Sequence, residues 1–508
     1  MAGVLPDNKD LGVLSSKPTS TKPVGLVPSM QSPTMRSFDD IKATRAAIFG
    51  GVQAAASSLQ PLKNQRHTLS LTDVGWSDSE EFKPIKKQKE AILKGETLSR
   101  GLKGTLNLID NATGNVIESK KTTIAKIPYL TDRGTYIING TEYTLANQMR
   151  LRPGVFTRIT NSGDVESHVN VLPGKGLSHR YSLNPEKGVF NISFGQSSVP
   201  LMPLLKAMGA NDKQIRDAWG NDIYSSNALK NDPQYLDKIF KKIGRLPPGE
   251  SPSEENKVKS VAAAMSAMEL DPEVTSATLG KPYRNLSVDS ILDATKKILA
   301  VHKRELDPDD RDSMAYQNMY GPEDLFSERV RAAYKVMRPM LWKASLKQNL
   351  SPFTPGFLSS HVNSAIMKSG LGQPLEEVNP ADLLNQITRV SRLGEGGIPS
   401  LQAVPEEARN VQPSHFGFID PLLTPESLKV GVDSRIAINA RKGMDGKVYS
   451  KFRDVRSGEE TWKTPQEIAK SVIAFPNEMA DKSKSKIAAL ASGKIKYVDR
   501  DMVDFELP

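Results

Sequence analysis

The sequence predicts an α+β protein of several domains. Its 508 residues exceed the size of one compact domain, since domains usually run about 100–200 residues. Residues 101–200 are rich in strand patterns, whereas residues 203–285 are mixed and mostly helical. Hydrophobic residues make up 38% and charged residues 25%, which is typical of a globular protein with substantial cores.

At the N-terminal end, residues 1–35 are rich in Pro, Ser, Thr and Lys and contain no aromatic side chain. Such a segment buries too little apolar area to offset its ordering entropy, so we predict an extended arm. Residues 36–59 are rich in alanine and predict one or two helices, with Gly50 and Gly51 as a break.

Two hairpins are predicted in the strand-rich region. Residues 102–118 indicate two short strands around a turn at residues 111–114. Asn139 and Gly140 follow one β-branched run and precede another. Both central residues of a type I′ turn need positive φ, so this Asn-Gly pair predicts a tight hairpin.

Helices are predicted further along the chain. Residues 247–257 form a polar, Pro-containing stretch that we expect to be an exposed connection. Residues 287–302 predict an amphipathic helix with Ser287 as its N-cap. Residues 322–337 predict a second helix with the apolar stripe Leu325, Phe326, Val330, Tyr334 and Met337. Beyond residue 390 the chain is loop-rich and then returns to strands.

Several classes of chemistry are excluded by composition. The chain has no cysteine, which excludes disulfides, Cys-ligated zinc, iron–sulfur clusters and thiol nucleophiles. Its six histidines are far apart, without an HxxxH or HExxH pair, and there is no GxSxG motif. There is neither an apolar run of membrane-spanning length nor a signal-peptide pattern.

The charge indicates a polyanionic partner. The formal net charge is +10 and the isoelectric point is about 9.3, which favours nucleic acid; the alternative is a basic surface without a partner. Aromatic residues make up 6%, which argues against a base-stacking platform as the main binding device.

Two further motifs leave alternatives open. The acidic residues 307–312 form a candidate Mg²⁺ site, but Arg311 breaks the EF-hand pattern, so a solvated turn with helix capping is favoured. Residues 394–397, GEGG, lack the strand and Lys-Ser/Thr of a phosphate loop. They suit instead a flexible loop whose backbone approaches a ligand closely.

Basic residues and one histidine also allow more than one interpretation. The three arginines of residues 150–158 either bind phosphates or form an ordinary basic turn after a hairpin. His415 is interpreted as a loop histidine that bonds a backbone carbonyl rather than as a catalytic base. The lysine clusters at residues 83–89 and 481–496 are interpreted as solvated faces.

Three segments carry a family resemblance. Residues 127–156, IPYLTDRGTYIINGTEYTLANQMRLRPGVF, resemble a segment of the β subunit of multisubunit DNA-dependent RNA polymerases. Residues 371–397, LGQPLEEVNPADLLNQITRVSRLGEGG, resemble the β cluster that binds rifamycin and faces the RNA–DNA hybrid in bacterial enzymes. Residues 410–431, NVQPSHFGFIDPLLTPESLKVG, resemble the fork region of the same subunit.

The resemblance implies the N-terminal architecture of RNA polymerase β, with protrusion, lobe and fork, the lobe being inserted into a discontinuous protrusion. The expected domains are 1–60, an extended or partly helical arm; 61–200, the first segment of the protrusion; 201–285, the lobe; 286–390, the second segment of the protrusion; and 391–508, the fork and the start of an external β module.

Site residues are carried over by position. Those expected to face the RNA–DNA hybrid are Gln148, Arg152, Gln373, Glu376, Asn379, Gln386, Arg389 and Ser391. Those expected in the fork loop near downstream DNA are Leu393, Gly394, Gly396, Gly397 and Arg409. Glu426 is expected near the incoming nucleotide. No catalytic residue and no metal ligand is expected in this chain, and the Mg²⁺ of the reaction is expected on another subunit.

The function implied is that of a noncatalytic core subunit, the N-terminal fragment of a split β subunit of a bacteriophage polymerase. Family residues that contact substrate phosphates and Mg²⁺ fall outside the resembling region. The expected partners are therefore a β C-terminal fragment, β′ fragments, a σ-like subunit where one is needed, template DNA and RNA transcript. No membrane and no small-molecule cofactor are expected, and the location is the host cytoplasm or the virion.

Two alternative functions stay open beside this one. The chain is alternatively a basic nucleic-acid-binding structural or virion protein that retains a polymerase β scaffold, or, from residues 307–312 alone, a metal-dependent nuclease. The sequence also departs from the family. Gln386 stands where the family has a histidine central to rifamycin binding, and Phe418 replaces an arginine. We therefore expect a rifamycin-insensitive polymerase.

Overall fold

The computed structural model describes residues 35–78, 85–160, 162–172, 174–244, 253–491 and 493–507. The predicted arm at residues 1–34 and most of the predicted connection, residues 245–252, lie outside these ranges. The described residues between 35 and 507 belong to one compact unit, and it is a mixture of helices and several sheets, as the α+β prediction requires.

The helices of the described ranges are α1 Ile41–Ser57, α2 Ile85–Leu93, α3 Met202–Ala207, α4 Asp212–Trp219, α5 Asn221–Ala228, α6 Pro233–Ile243, α7 Glu254–Ser266, α8 Pro272–Leu279, α9 Val288–His302, α10 Pro322–Arg331, α11 Tyr334–Lys347, α12 Ser359–Met367, α13 Pro380–Ile387 and α14 Pro465–Ile468. None of these helices combines the length and the apolar character that a membrane crossing needs.

The strands of the same ranges are β1 Met35–Ser37, β2 Leu62–Lys63, β3 His67–Trp76, β4 Ser99–Asp110, β5 Val116–Pro128, β6 Tyr136–Ile138, β7 Thr141–Leu145, β8 Asn147–Leu151, β9 Gly154–Ile159, β10 Val165–Asn170, β11 His179–Asn184, β12 Val189–Phe194, β13 Ser197–Pro200, β14 Gln317–Tyr320, β15 Gly372–Pro374, β16 Arg389–Ser391, β17 Ile419–Asp420, β18 Asp433–Ile436, β19 Arg441–Gly443, β20 Val448–Asp454, β21 Glu460–Lys463, β22 Ile473–Ala474, β23 Lys486–Ala491, β24 Lys494–Asp499 and β25 Phe505–Glu506.

These strands form separate sheets. Their orders are β2-β3-β4-β5, β15-β7-β6, β13-β12-β11-β10-β9, β14-β8-β16-β18-β17 and β1-β19-β20-β25-β22-β23-β24, with β21 added to β20 in the last. All neighbours are antiparallel except β8 with β16 and β22 with β25, which are parallel. Parallel neighbours cannot be joined by a tight turn, so each of these pairs brings distant regions of the chain together.

Three main hydrophobic cores lie beneath the sheets. The first combines buried side chains of residues 48–76 and 91–146 with those of residues 325–371. The second consists of buried and partly buried side chains that join strands β9 to β13 with helices α3 to α9 and their connections. The third collects Phe38, side chains of β8, β14 and β16, and others among residues 418–490. The domain boundaries expected from the sequence stay a prediction.

Both predicted hairpins are present. Ile138 pairs with Thr141, and Asn139 and Gly140 have φ of 49° and 80°, as a type I′ turn requires. Strands β4 and β5 form the other hairpin, and they are longer than the short strands that were predicted. The local turn chemistry was sufficient to locate both turns.

The predicted helix break at Gly50 and Gly51 is wrong. Helix α1 continues through both glycines, because the helix packs closely against α10 at this point. A Cβ on Gly51 would lie 2.8 Å from Oγ of Ser327. The glycine therefore allows two helices to approach each other rather than ending one of them.

The helix predicted at residues 287–302 is confirmed as α9. The single helix predicted at residues 322–337 is wrong, because two helices, α10 and α11, occupy this range. Ser287 caps α9: Ser290 N–H donates to its Oγ at 3.2 Å, and Ser287 N–H donates to Oγ of Ser290 at 2.9 Å. The second helix is divided, because the N–H of Ala332 donates to carbonyl oxygens of the last turn of α10 and ends that helix. As a result Tyr334 leaves the predicted apolar stripe and is 44% exposed.

Candidate nucleic-acid interface

The three resembling segments meet in the sheet β14-β8-β16-β18-β17. Strand β8 lies parallel to β16, so that Asn147 is opposite Val390 and Gln148 is opposite Ser391. Strand β16 lies antiparallel to β18, with Arg389 opposite Arg435. Residues 127–156 and 371–397 are therefore neighbours in space, and the fork segment joins the same sheet through β17, which pairs with β18.

A buried glutamine joins the first two segments. Gln148 has no exposed surface, and its Nε2 donates to the carbonyl oxygen of Leu393 at 2.7 Å. The adjacent Asn147 donates through Nδ2 to the carbonyl oxygens of Ile387 and Arg389, both at 3.2 Å. These side chains satisfy backbone groups on both sides of β16 and fix its position beside β8.

The glycine loop, residues 394–397, wraps around side chains of β8. Gly394 and Gly396 have φ of 101° and 88°, a region that favours glycine. A Cβ on Gly396 would lie 2.5 Å from Cζ of Arg150, and one on Gly397 would lie 2.9 Å from Nε2 of Gln148. The close approach expected of this loop is present, but the backbone approaches the chain's own side chains.

The arginines of the basic tract are paired within the chain. Nη1 of Arg150 lies 3.0 Å from a carboxylate oxygen of Glu328, and its guanidinium stacks on the Tyr320 ring at 4.3 Å. Arg158 pairs with Glu166 at 2.6 Å. The sequence predicted either phosphate binding or an ordinary basic turn for these arginines, and it did not predict that they pair with carboxylates of the same chain.

Arg152 is buried and pairs with two carboxylates. Only 4% of the residue is exposed, and its Nη2 contacts carboxylate oxygens of Asp271 at 2.6 Å and Glu273 at 2.8 Å. The hydrogen bond from Arg152 is the main reason why the pKa of Glu273 is lowered. In this structure Arg152 connects β8 and β9 to α8.

Arg389 and Ser391 are also buried. Nη2 of Arg389 donates to the carbonyl oxygen of Leu371 at 2.8 Å, and Oγ of Ser391 accepts from the N–H of Leu393 at 3.2 Å. Burial lowers the pKa of Arg389, while the carboxylate of Asp433 raises it. Both side chains therefore hold the segments together from within.

The other predicted hybrid-facing residues lie around α13. Glu376 and Asn379 are exposed, and Gln373 in β15 is half-buried. Asn379 caps α13 by accepting from the N–H of Ala381 at 2.8 Å. Gln386 donates to the carbonyl oxygen of Glu376 and accepts from Oγ1 of Thr144 at 3.3 Å. Their exposed polar atoms form the accessible side of the site.

In the fork segment, Arg409 holds the loop that carries Glu426. Nη1 of Arg409 donates to the carbonyl oxygens of Leu428 at 2.8 Å and Val430 at 3.0 Å. Oγ1 of Thr424 donates to the carbonyl oxygen of Asp433 at 2.9 Å, which fixes the start of the loop. Glu426 itself is exposed.

Arg392 was not predicted from the sequence, although it contacts both an acidic residue and a histidine in this region. Its Nη1 pairs with Asp312 at 3.0 Å, and its Nη2 lies 3.3 Å from Nε2 of His415. Burial, helped by Arg392, lowers the pKa of His415 to about 3, so its ring is neutral at neutral pH. The expected bond to a backbone carbonyl is wrong, since Nδ1 of His415 accepts from the N–H of Gln412 at 3.3 Å.

The acidic residues 307–312 take part in structural ion pairs. Asp309 pairs with Lys297 at 2.7 Å and accepts from the N–H of Thr157 at 2.8 Å, and its side chain is only 10% exposed. The predicted solvated turn is therefore wrong for Asp309 and Asp312, which are both held by cations. In the described ranges, no group of three or more Asp, Glu, His or Cys side chains is arranged to hold a metal ion.

The geometry defines a mixed α/β protein in which a sheet and a glycine loop support an exposed polar surface. The family model described as RNA polymerase Rpb2, domain 3, matches residues 373–441. This match covers α13, β16, the glycine loop and the fork segment. It supports a β-type subunit of a multisubunit, DNA-directed RNA polymerase, which works in transcription as a complex with nucleic acid.

Proposed function

We propose that the chain is a noncatalytic core subunit of a bacteriophage-type DNA-dependent RNA polymerase. It acts as the N-terminal fragment of a split β subunit and forms one wall of the hybrid channel, with protrusion, lobe and fork. The observation that carries the proposal is the parallel pairing of β8 with β16, which joins two separate polymerase-like segments. The family match over residues 373–441 supports it independently.

The residues divide into two roles. Gln373, Glu376 and Asn379 present polar groups to the RNA–DNA hybrid. The buried Gln148, Arg389 and Ser391 and the half-buried Gln386 are positioning residues that hold the segments of this surface together, and Arg152 ties β8 and β9 to α8. Such contacts orient a nucleic acid without reading its sequence, and the chain's net charge of +10 adds a salt-sensitive attraction.

The fork has a related division of roles. Leu393, Gly394, Gly396 and Gly397 form the loop beside downstream DNA, and Arg409 braces the segment that presents Glu426. Glu426 is exposed and forms no ion pair with the residues that the structure describes. It is therefore free to approach an incoming nucleotide.

The metal and the remaining chemistry belong to other chains in this proposal. Phosphoryl transfer depends on metal ions and on charge stabilisation. The acidic residues 307–312 do not fit as Mg²⁺ ligands, because Lys297 and Arg392 already neutralise Asp309 and Asp312. The partners are a β C-terminal fragment, β′ fragments and a σ-like subunit where needed, in the host cytoplasm or in the virion.

Co-purification tests the assignment. The full chain, tagged and produced with the genes of its own source, should be recovered with chains that carry the rest of β and the Mg²⁺-binding β′ residues. The recovered complex should synthesise RNA on a DNA template. Recovery of the chain by itself, bound to nucleic acid but without polymerase partners, would support a structural or virion protein instead.

A kinetic experiment tests the fork. In the assembled polymerase, Glu426→Gln should raise the KM for nucleotides roughly two- to tenfold, because the loss of one hydrogen bond weakens binding by about this factor. The control is Glu459→Gln, another exposed glutamate that lies outside the fork. Equal KM values for the two variants would remove Glu426 from the nucleotide site.

A further inference from the structure

A cleft of about 340 Å³ lies between the glycine loop, α10 and the residues Leu172, Gly174 and Lys175. A second groove, of about 410 Å³, lies between the end of α1, strands β2 and β3, and the start of α11. Arg331 and Tyr334 line both of them, so the cleft and the groove adjoin at these two residues, and the two together are called the channel. None of the site residues carried over from the family resemblance lines this channel.

The cleft half of the channel has two cationic side chains that no carboxylate of the described residues neutralises. Each of its carboxylates is engaged by a cation of the same chain, in the pairs Glu328–Arg150, Glu395–Arg329 and Asp324–Lys442. Arg331 and Lys335 are exposed, and among the described residues no carboxylate lies within ion-pair distance of either. These two cations, at the end of α10 and the start of α11, therefore remain available for an anion.

The groove half of the channel is apolar. Its wall includes Leu59, Leu62, Leu71 and Met337. Tyr334 stands at the junction with the cleft and is 44% exposed, although it is bordered by apolar side chains. An accessible aromatic ring between a cationic and an apolar wall suits a ligand that has both phosphates and flat rings.

We propose that this channel binds a single strand of nucleic acid, with phosphates at Arg331 and Lys335 and a base stacked on Tyr334. A duplex fits less well, because its bases are hidden and the apolar wall would stay unused. The inference rests on the proposed function and deepens it, since an enzyme that copies a DNA template must hold unpaired strands. The net charge of +10 favours this ligand over an apolar peptide.

Binding of a labelled 15-nucleotide oligothymidylate to the full chain, measured by fluorescence anisotropy, tests the channel. The double variant Arg331→Gln with Lys335→Gln should weaken binding about tenfold or more. Its salt dependence should fall by about 1.4 in log–log slope, because two phosphate contacts are lost. The matched control is Lys482→Gln with Lys494→Gln, two exposed lysines near β23 and β24, which should change the affinity less than twofold.

A second pair of variants isolates stacking. Tyr334→Ala should weaken binding about tenfold, and Tyr334→Phe should retain it, because stacking needs the ring and not the hydroxyl. Tyr497→Ala, which removes a tyrosine that is 79% exposed on β24, is the control. All substituted side chains are exposed, and unchanged melting temperatures verify that the variants are folded.

Several results would overturn the inference. These are equal losses in the two double variants, equal affinity for a duplex of the same length, or no measurable binding of the oligonucleotide. Displacement of the oligonucleotide by polyglutamate, with no effect of Tyr334→Ala, would identify an acidic polypeptide as the ligand and overturn it as well. If the chain still co-purified with polymerase partners, such a failure would leave the proposed function intact.

Discussion

Nε2 of Gln148 donates a hydrogen bond of 2.7 Å to the carbonyl oxygen of Leu393, across 245 residues of sequence. The contact ties the strand after the first hairpin to the residue that precedes the glycine loop. It is made by a side chain with no exposed surface, so water cannot replace it when it is lost. The position of the glycine loop therefore depends on β8.

The first prediction concerns this hydrogen bond. Gln148→Leu should lower the free energy of unfolding by about 1–3 kcal/mol, because a buried carbonyl oxygen loses its donor. Thermal melting measures the loss, and limited proteolysis should show faster cleavage in the glycine loop. Gln402→Leu, at an exposed glutamine nearby, is the control. Equal melting temperatures for the two variants would contradict the role of Gln148.

The second prediction separates backbone strain from side-chain crowding. Gly446 has φ of 79°, and a Cβ there would meet no atom within 4 Å. Gly446→Ala should therefore lower the free energy of unfolding only by the cost of a left-handed backbone at a residue with a side chain, about 1–2 kcal/mol. Gly396 has a similar φ of 88°, but a Cβ there meets the Arg150 guanidinium. Gly396→Ala should therefore lower the melting temperature further than Gly446→Ala, and similar values for both would show that the loop tolerates the clash.

The third prediction is a pH dependence from a buried ion cluster between α10 and β19. Burial raises the pKa of Glu323, but Lys442 and Arg36 outweigh it and hold the pKa at about 2. Because the folded pKa is below the ordinary value of 4.5, this stabilisation is complete above pH 4.5 and is lost as the pH falls towards 2. Its upper bound is about 3 kcal/mol.

Neighbouring Asp324 opposes part of that loss, since burial raises its pKa. Melting temperatures between pH 7 and pH 3 should decrease, and Lys442→Met should be less stable at pH 7 with a shallower pH dependence. Lys451→Met removes an exposed pair with Glu460 and should leave the pH profile unchanged. Parallel profiles for Lys442→Met and the unsubstituted chain would contradict this account.

The fourth prediction concerns Arg389. Arg389→Ala removes a buried donor to the Leu371 carbonyl and should cost about 1.5–3 kcal/mol, the range for a hydrogen bond from a charged group. In the assembled polymerase, below the melting onset, processivity should fall more than initial DNA binding, because the hybrid surface is displaced. Arg66→Ala, at an exposed arginine, is the control. Unchanged elongation would remove Arg389 from the site.

The fifth prediction is that the polymerase is insensitive to rifamycin. Gln386 occupies the position of the family's histidine, and both ends of its amide are engaged by Glu376 and Thr144. RNA synthesis by the purified complex should continue at concentrations that stop a bacterial polymerase assayed beside it. Inhibition at the same concentration would contradict the expectation. Phe418 is not a useful site for the reverse change, since it is fully buried against Phe452.

Local features were predictable from the sequence because they depend on neighbouring residues. The Asn139-Gly140 turn follows from φ preferences, and the Ser287 cap follows from one side chain and the next turn of helix. The resemblance at residues 371–397 likewise lay in contiguous residues, and the family match covers most of them. The failure at Gly51 occurred where packing against α10 outweighed local preference, and the failure at Tyr334 followed from the end of α10 at Ala332.

The sequence by itself determined the positive charge, the mixture of helices and strands and the match of residues 373–441 to the family model described as RNA polymerase Rpb2, domain 3. Only the tertiary structure decided that Arg152 is neutralised by Asp271, that Asp312 pairs with Arg392, and that Arg331 and Lys335 stay free. The physical reason is distance along the chain. Arg152 and Asp271 are 119 residues apart, and the sequence pattern does not show which charges meet once the chain has folded.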